Sequence, residues 1–334
     1  MKLQSEPIIP STAISVAASK IFTYPTRLAD SWTPAIQQIH LPGYEIIRPE
    51  IEIAVRAGST RSLGIKRGNF PKRFIKNIYK GIMPHIQMTN EYIYDSRYEI
   101  DDNIAHVLDS VVSAVLAAQK RYPEITVILR ARASAMAREV FKLLRIRTLC
   151  TNSEVFGRLI LLKQPGRHRF NGDGLYSSLF DDVEFDGYKK TTEERIFISR
   201  RKTRRLHNED EVEHVLKEYG FQKVYFEDIP ICEQWSLARN AKAIVGIHGA
   251  ALCSQVFNRN AVKVVELFHP GFLTNWCRHM TNAVAGTWCG VTGQLPPDII
   301  KHVDYRRKAQ YFAFHHTRID ITSLRMALKH VGIL

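Results

Sequence analysis

The chain has 334 residues, 45% of them hydrophobic and 24% charged, with a formal net charge of +14 at pH 7. That length accommodates two ordinary domains, and that apolar content excludes a disordered chain. No apolar run approaches the roughly 18 residues that span a bilayer, and the start MKLQSEPIIPSTAISVAASK lacks the continuous apolar region of a secretory signal, so the chain is expected to be made and kept in the cytoplasm.

In chain order, the first half alternates strand and helix patterns. YEIIRPEIEIAV and EYIYDSR read as strands, followed by a helix from about Asp102 to Arg121, strand ITVILRA, a helix around Ser134 to Leu144, and strand RLILLK. Between the first two strands, Arg56 to Lys80 holds Arg56, Arg61, Lys66, Arg67, Lys72, Arg73, Lys76 and Lys80 with no acid, interleaved with Phe70, Phe74, Ile75 and Tyr79. Such an amphipathic basic surface can lie on anionic lipid headgroups or on phosphates, and a solvated surface helix has the same composition. Helix-turn-helix, zinc-finger and aromatic RNA-binding signatures are all missing, so nucleic acid is not the expected partner. The polar, glycine-bearing stretch from Arg167 to Glu194 is the predicted linker.

The second half repeats the alternation more tightly: strand RIFISR, helix NEDEVEHVLKEYG, strand KVYFED, helix ICEQWSLARNA, strand AIVGIHG, a helix, and strand VKVVELF. Asn208 reads as an N-cap with Glu211 three residues on, and Gly220 ends that helix. The succession predicts a Rossmann-like domain, whose ligands bind at the carboxyl ends of the strands. Those ends carry the chemistry. Arg200, Arg201, Lys202, Arg204 and Arg205 crowd the turn after strand Arg195–Ser199, and arginine binds phosphate oxygens bidentately, so one or two of these can hold a nucleotide diphosphate leaving group. A strand ending at Gly246 and a helix beginning near Gly249 flank His248, whose imidazole or backbone N–H can meet phosphate or sugar. Glu266, at the end of VKVVE, can accept hydrogen bonds from ribose hydroxyls, and Glu233 opens the preceding helix. Each has a plainer reading: a solubilising basic turn, a hydrogen-bonded histidine, a surface acid, a residue serving the helix dipole. Cys150, Cys232, Cys253, Cys277 and Cys289 are scattered without metal-ligand spacing and are expected to be reduced core thiols.

The segments ISRRKTRRLHNEDEV, CEQWSLARNAKAIVGIHGAAL and VKVVELF, in this order and spacing, resemble glycosyltransferase family 61, which includes plant xylosyl- and arabinosyltransferases, extracellular O-GlcNAc transferase and bacterial cell-surface glycan enzymes. The resemblance covers about Ile196 to Phe268, with Ser199-Arg200, Asn208-Glu209, Glu233-Gln234, His248-Gly249-Ala250 and Glu266 in register. In the first half it rests on DNIAHVLDSVV, where Asn103, His106 and Asp109 match an Asn-x-x-His followed by an acid. The resemblance implies an α/β fold of GT-B type, two Rossmann-like domains facing across a cleft: residues 1–185 on the acceptor side and 186–334 binding a nucleotide sugar, with room for the last helix to return to the first domain. It implies Arg200, Arg205, Asn208, Glu233, Gly246, His248, Gly249, Ala250 and Glu266 as donor-binding residues, and Asn103 and Asp95 on the acceptor side. Asp109, with His106 one turn away, becomes the base of an inverting transfer. Neither a metal nor a cofactor is required by this scheme, the chain having no Asp-x-Asp. The expected partners are a nucleotide sugar, a UDP sugar foremost, a cell-surface glycan or glycolipid acceptor of bacterial polysaccharide biosynthesis, and the inner face of an anionic membrane through Arg56–Lys80. The alternative is a catalytically inactive glycan- or nucleotide-binding scaffold of the same fold.

Overall fold

The structure, a computed structural model, describes residues 3–23, 31–32, 37–41, 43–55, 86–163, 175, 178–300 and 314–334. The chain divides into two compact units, Met1–Ala13 with His40–Asp186 and Ile14–Ile39 with Gly187–Leu334. The change of unit between Asp186 and Gly187 falls inside the polar linker stretch, whereas Ile14–Ile39 belongs with the second unit, which a division into consecutive halves does not anticipate. The basic segment Arg56–Lys80 lies outside the described residues. Among the described residues no helix is long and apolar enough to cross a membrane.

The first unit is built on a five-stranded sheet of β1 (Ile53–Val55), β2 (Ile86–Asp95), β3 (Thr126–Leu129), β4 (Thr148–Cys150) and β5 (Val155–Leu159). Their order is β4-β3-β2-β5-β1, parallel except for the edge strand β1. Leu3–Ile9, Tyr44–Pro49 and Leu161–Lys163 form a separate antiparallel sheet. Beyond β2, Asn103 caps α1 (Ile104–His106), its side-chain oxygen accepting from the Ala105 and His106 amides at 3.0 and 3.4 Å. The helix predicted over Asp102 to Arg121 is not uniformly α: it opens into a π-helix over Val107–Val112 before resuming as α2 (Ser113–Gln119). Ser134 caps α3 (Ala135–Leu143) by accepting from the Ala137 amide at 3.0 Å.

The second unit is a seven-stranded sheet. It comprises β6 (Arg195–Ser199), β7 (Gln222–Tyr225), β8 (Ala243–Ile247), β9 (Lys263–Phe268), β10 (Thr287–Thr292) and the short N-terminal strands Ile21–Phe22 and Ser31–Trp32. The order is β7-β6-β8-β9-β10 followed by the N-terminal pair, and all pairings are parallel except that between Ile21–Phe22 and Ser31–Trp32. All five residues of β8 are buried, as expected of a central parallel strand covered on both faces. Alternation sorts the neighbours between two cores. Phe197, Val245, Val265, Leu267 and Val291 pack with Val212, Val215 and Leu216 of α4 (Glu209–Glu218) and Leu324, Ala327 and Leu328 of the last helix. Ile196, Ile198, Ile244, Val264 and Phe268 meet Leu237 of α5 (Ile231–Asn240), Leu252, and Cys277 of α6 (Trp276–Ala283). The last helix, α7 (Ile321–His330), belongs to this second unit, where it packs on β10 and on Ile21–Phe22.

Three local expectations change. Strand β8 runs one residue past Gly246, to Ile247, and the helix after it is a 3₁₀-helix over Ala250–Phe257. Asn208 holds the N-cap position of α4 but makes no cap bond: its amide donates to the Ile319 carbonyl at 2.9 Å and to Glu211 at 2.8 Å, and its oxygen accepts from the Ile319 N–H at 3.0 Å. The side chain has been taken over by a segment 111 residues away. Of the thiols, Cys253, Cys277 and Cys289 are buried, Cys232 is half-buried and Cys150 is exposed.

Candidate active site

Parallel running brings the ends of β6, β8, β9 and β10 to one edge of the second unit's sheet. Register places Gly246 beside Glu266 and Glu266 beside Gly290. The Glu266 side chain is fully buried. One carboxylate oxygen lies 2.6 Å from His248 Nδ1, and the other accepts from Trp288 Nε1 at 2.9 Å. His248, itself buried, donates its backbone N–H to the Leu267 carbonyl at 2.9 Å, and its ring meets those of Phe268, Phe272 and Trp276 at centroid distances of 5.4, 5.1 and 5.9 Å. Glu266 thus lies beneath His248 with both oxygens engaged, not at a surface where a ribose could meet it. Burial, and then the Glu266 charge, push the neighbouring Cys277 thiol well up.

Above this buried layer, Arg200 Nη1 and Arg204 Nη1 both donate to the His248 carbonyl, at 3.2 and 3.1 Å. Gly249 makes the first of these possible, because a Cβ there would run into the Arg200 guanidinium. Arg204 adopts φ +59, a left-handed backbone that an arginine takes at a cost, and its guanidinium lies over Phe272 at 5.2 Å and Phe314 at 5.4 Å. Phe272 therefore touches both the His248 ring and the Arg204 guanidinium. Burial and then the Arg200 charge bring Arg204 down to about 10. Arg200 is also lowered by burial, opposed by Glu227 at 4.0 Å. Two part-buried cations sharing one carbonyl make a focus of positive potential suited to an anion with more than one oxygen to offer.

Arg205, expected to share this work, is exposed and lies 3.3 Å from His316 Nε2, outside the pair. Gly246 is packed against Leu252, Ala250 opens the 3₁₀-helix half-buried, and Glu233 is exposed in the first turn of α5. Two participants escaped the sequence reading. Arg204 was one of five basic residues in one turn, and only its left-handed backbone sets it apart. His269, buried one residue past β9, is held down to about 4 by burial, His315 and Arg204, so it stands neutral beside Arg204.

In the first unit, Asn103, His106 and Asp109 share one helix. Asp109 is buried within the π-helical stretch, and the wider turn sets residues three apart farther round the axis than an α-helix would. His106 is half-buried and lowered by that burial, against the opposing charge of Asp102. Asp95 is committed elsewhere: it is buried in a bidentate pair with Arg97, at 2.8 and 3.1 Å, while Arg97 also donates to the Val55 and Ser153 carbonyls at 3.0 and 2.7 Å. Among the described residues, no group of three or more His, Cys, Asp or Glu side chains is placed to hold a metal ion.

Comparison with known proteins bears on the family of the chain. A family described as Glycosyltransferase 61 matches residues 24–265. The EGF domain-specific O-linked N-acetylglucosamine transferase of Drosophila melanogaster is 35% identical over 77 residues, which are 22% of this chain and 15% of that protein. Among solved structures, the bacterial iron-containing dodecameric glycosyltransferase TibC from enterotoxigenic E. coli aligns at 13% identity and a TM-score of 0.35, over 57% of this chain and 64% of its own. TibC in complex with ADP-D-beta-D-heptose aligns at 11% identity and a TM-score of 0.34, over 79% of this chain and 77% of its own. The chain thus spans only part of the relatives it matches, but the family match covers most of its own length. It belongs to glycosyltransferase family 61.

Proposed function

We propose that this chain is an inverting glycosyltransferase of the GT-B class that works without a metal, moving a sugar from a nucleotide sugar to a hydroxyl of a glycan or glycolipid acceptor. The observation that carries the reading is the convergence of Arg200 and Arg204 on the His248 carbonyl at the carboxyl edge of the sheet. When the acceptor oxygen attacks the anomeric carbon, the bond from that carbon to the phosphate oxygen breaks and the nucleoside diphosphate leaves with additional negative charge. Two preorganised guanidiniums stabilise that charge where it develops, the task a cation performs in other transferases. His248, held by Glu266, presents on the same edge the carbonyl to which both arginines donate. Asp109 is the proposed base: it removes the hydroxyl proton as the oxygen attacks the face opposite the leaving group. Asn103 caps the helix that carries it. The basic segment Arg56–Lys80 is proposed to meet an anionic membrane surface that presents the acceptor.

A thermal-shift panel of nucleotide sugars at rising concentration tests the reading, with UDP-N-acetylglucosamine and other UDP sugars first. Ligand-dependent stabilisation that grows with concentration, followed by sugar release or transfer, is expected. Stabilisation without any turnover would leave a nucleotide-binding scaffold, and no stabilisation by any nucleotide would remove the donor site.

A further inference from the structure

We propose that His269 is a further ligand-binding residue of this edge, its Nε2–H donating to a phosphate oxygen of the anion that Arg200 and Arg204 attract. The proposal rests on the reading of that edge as a nucleotide-diphosphate site and adds a third, uncharged donor to it. Its basis is a hydrogen bond left unmade among the described residues. His269 is 3% exposed, and its Nδ1 accepts from the Gly271 N–H at 3.0 Å. In the neutral ring that assignment puts the proton on Nε2. Nε2 is buried and, among the described residues, has no hydrogen-bond partner.

A buried donor left unsatisfied costs stability, and native structures seldom keep one without a use. Here its surroundings identify the use. Burial is the main cause that keeps the ring neutral, and the neighbouring His315 and Arg204 add to it. The imidazole therefore remains an uncharged donor beside Arg204, where a cation would be repelled and an acceptor of negative charge is the natural partner. Ser199, the last residue of β6 and the neighbour of Arg200, repeats the pattern: it is 1% exposed and its Oγ also has no partner. Strands β6 and β9 both flank β8, so the two orphaned groups stand on either side of the strand that leads into His248.

Isothermal titration with UDP of the wild type, His269→Phe and His269→Gln tests this. Phenylalanine keeps a ring and removes the donor, whereas glutamine keeps an N–H close to the position of Nε2. The expected result is UDP binding weakened at least about tenfold in His269→Phe and nearly preserved in His269→Gln, with the melting temperature of ligand-free His269→Phe no lower than that of the wild type, because an unpaired donor has been replaced by an apolar ring. Equal UDP affinity in the wild type and His269→Phe overturns the proposal and leaves the diphosphate site intact. A wild type that binds neither UDP nor any other nucleoside diphosphate overturns the site itself, and this inference with it. Should His269→Phe fail to fold, imidazole proton–nitrogen NMR of the wild type decides: a shift of the Nε2–H resonance on adding UDP supports the contact, and an unmoved resonance refutes it.

Discussion

Arg200 and Arg204 donate to the same backbone oxygen, that of His248, from 3.2 and 3.1 Å. Two like charges so placed raise each other's energy, and the fall of Arg204 to about 10 is partly that repulsion. An anion relieves it. Arg204→Ala is therefore expected to weaken UDP binding by about 1.5 kcal/mol or more, the range of a charge-assisted hydrogen bond, and Arg200→Ala by a similar amount. Arg205→Ala, outside the pair, should change it little. Calorimetric titration of the three variants decides, and equal losses at Arg204 and Arg205 would refute the pairing.

The two glycines of the His248 turn are expected to fail in different ways. A Cβ at Gly246 would press on Leu252, which is buried in the core, so Gly246→Ala should lower folding stability by about 1–3 kcal/mol through overpacking. A Cβ at Gly249 would meet the mobile end of Arg200 instead. Gly249→Ala should thus keep most of its stability and lose nucleotide affinity. Urea denaturation beside UDP titration separates the two, and the reverse pattern would contradict the geometry.

Glu266 orients His248, so its removal should be felt in the ring. Glu266→Gln retains one acceptor for Trp288 but offers His248 Nδ1 an amide N–H in place of an oxygen, which reverses the preferred tautomer. A loss of about 1–3 kcal/mol of stability is expected, along with a changed imidazole nitrogen spectrum. An unaltered spectrum would show that Glu266 does not set the tautomer.

Stability should fall as the solution is acidified from pH 6.5 toward 4. His269 and His279 are both held down to about 4 in the native state, first by burial and then by neighbouring cations, against 6.5 in the unfolded chain. Within that window the unfolded chain binds protons that the native state refuses. The stability these rings contribute is complete above 6.5 and drains at up to about 1.4 kcal/mol per pH unit for each ring. Urea midpoints at pH 7 and 5 measure this, and His269→Gln should flatten the slope. An unchanged slope in that variant would remove His269 from the balance.

Asp109→Asn keeps the shape of the proposed base and abolishes its basicity. Turnover with the correct donor and acceptor is expected to fall by roughly 10² to 10⁴, the usual contribution of a general base, with donor affinity nearly constant. Because the π-helical turn moves His106 and Asp109 apart round the axis, His106→Ala should cost less. Near wild-type turnover in Asp109→Asn would assign the base to another residue.

Much of the second unit was legible in the sequence because its signals are local. RIFIS, AIVGI and KVVELF are continuous apolar runs suited to parallel strands covered on both faces, and the intervening segments carry helical periodicity, so strand order along the chain and the arginine-rich edge followed directly. What the sequence alone could not decide were relationships made by distant residues. Arg204, and not Arg205, turns toward His248; Glu266 is buried between His248 and Trp288, one oxygen to each; Asn208 gives up its helix for Ile319; and Ile21–Phe22 completes a sheet whose other parallel strands begin at Arg195. Periodicity records which face of an element is buried. It holds no record of which partner arrives there, since that is settled by register, desolvation and the competition of polar groups for hydrogen bonds once the chain has closed on itself.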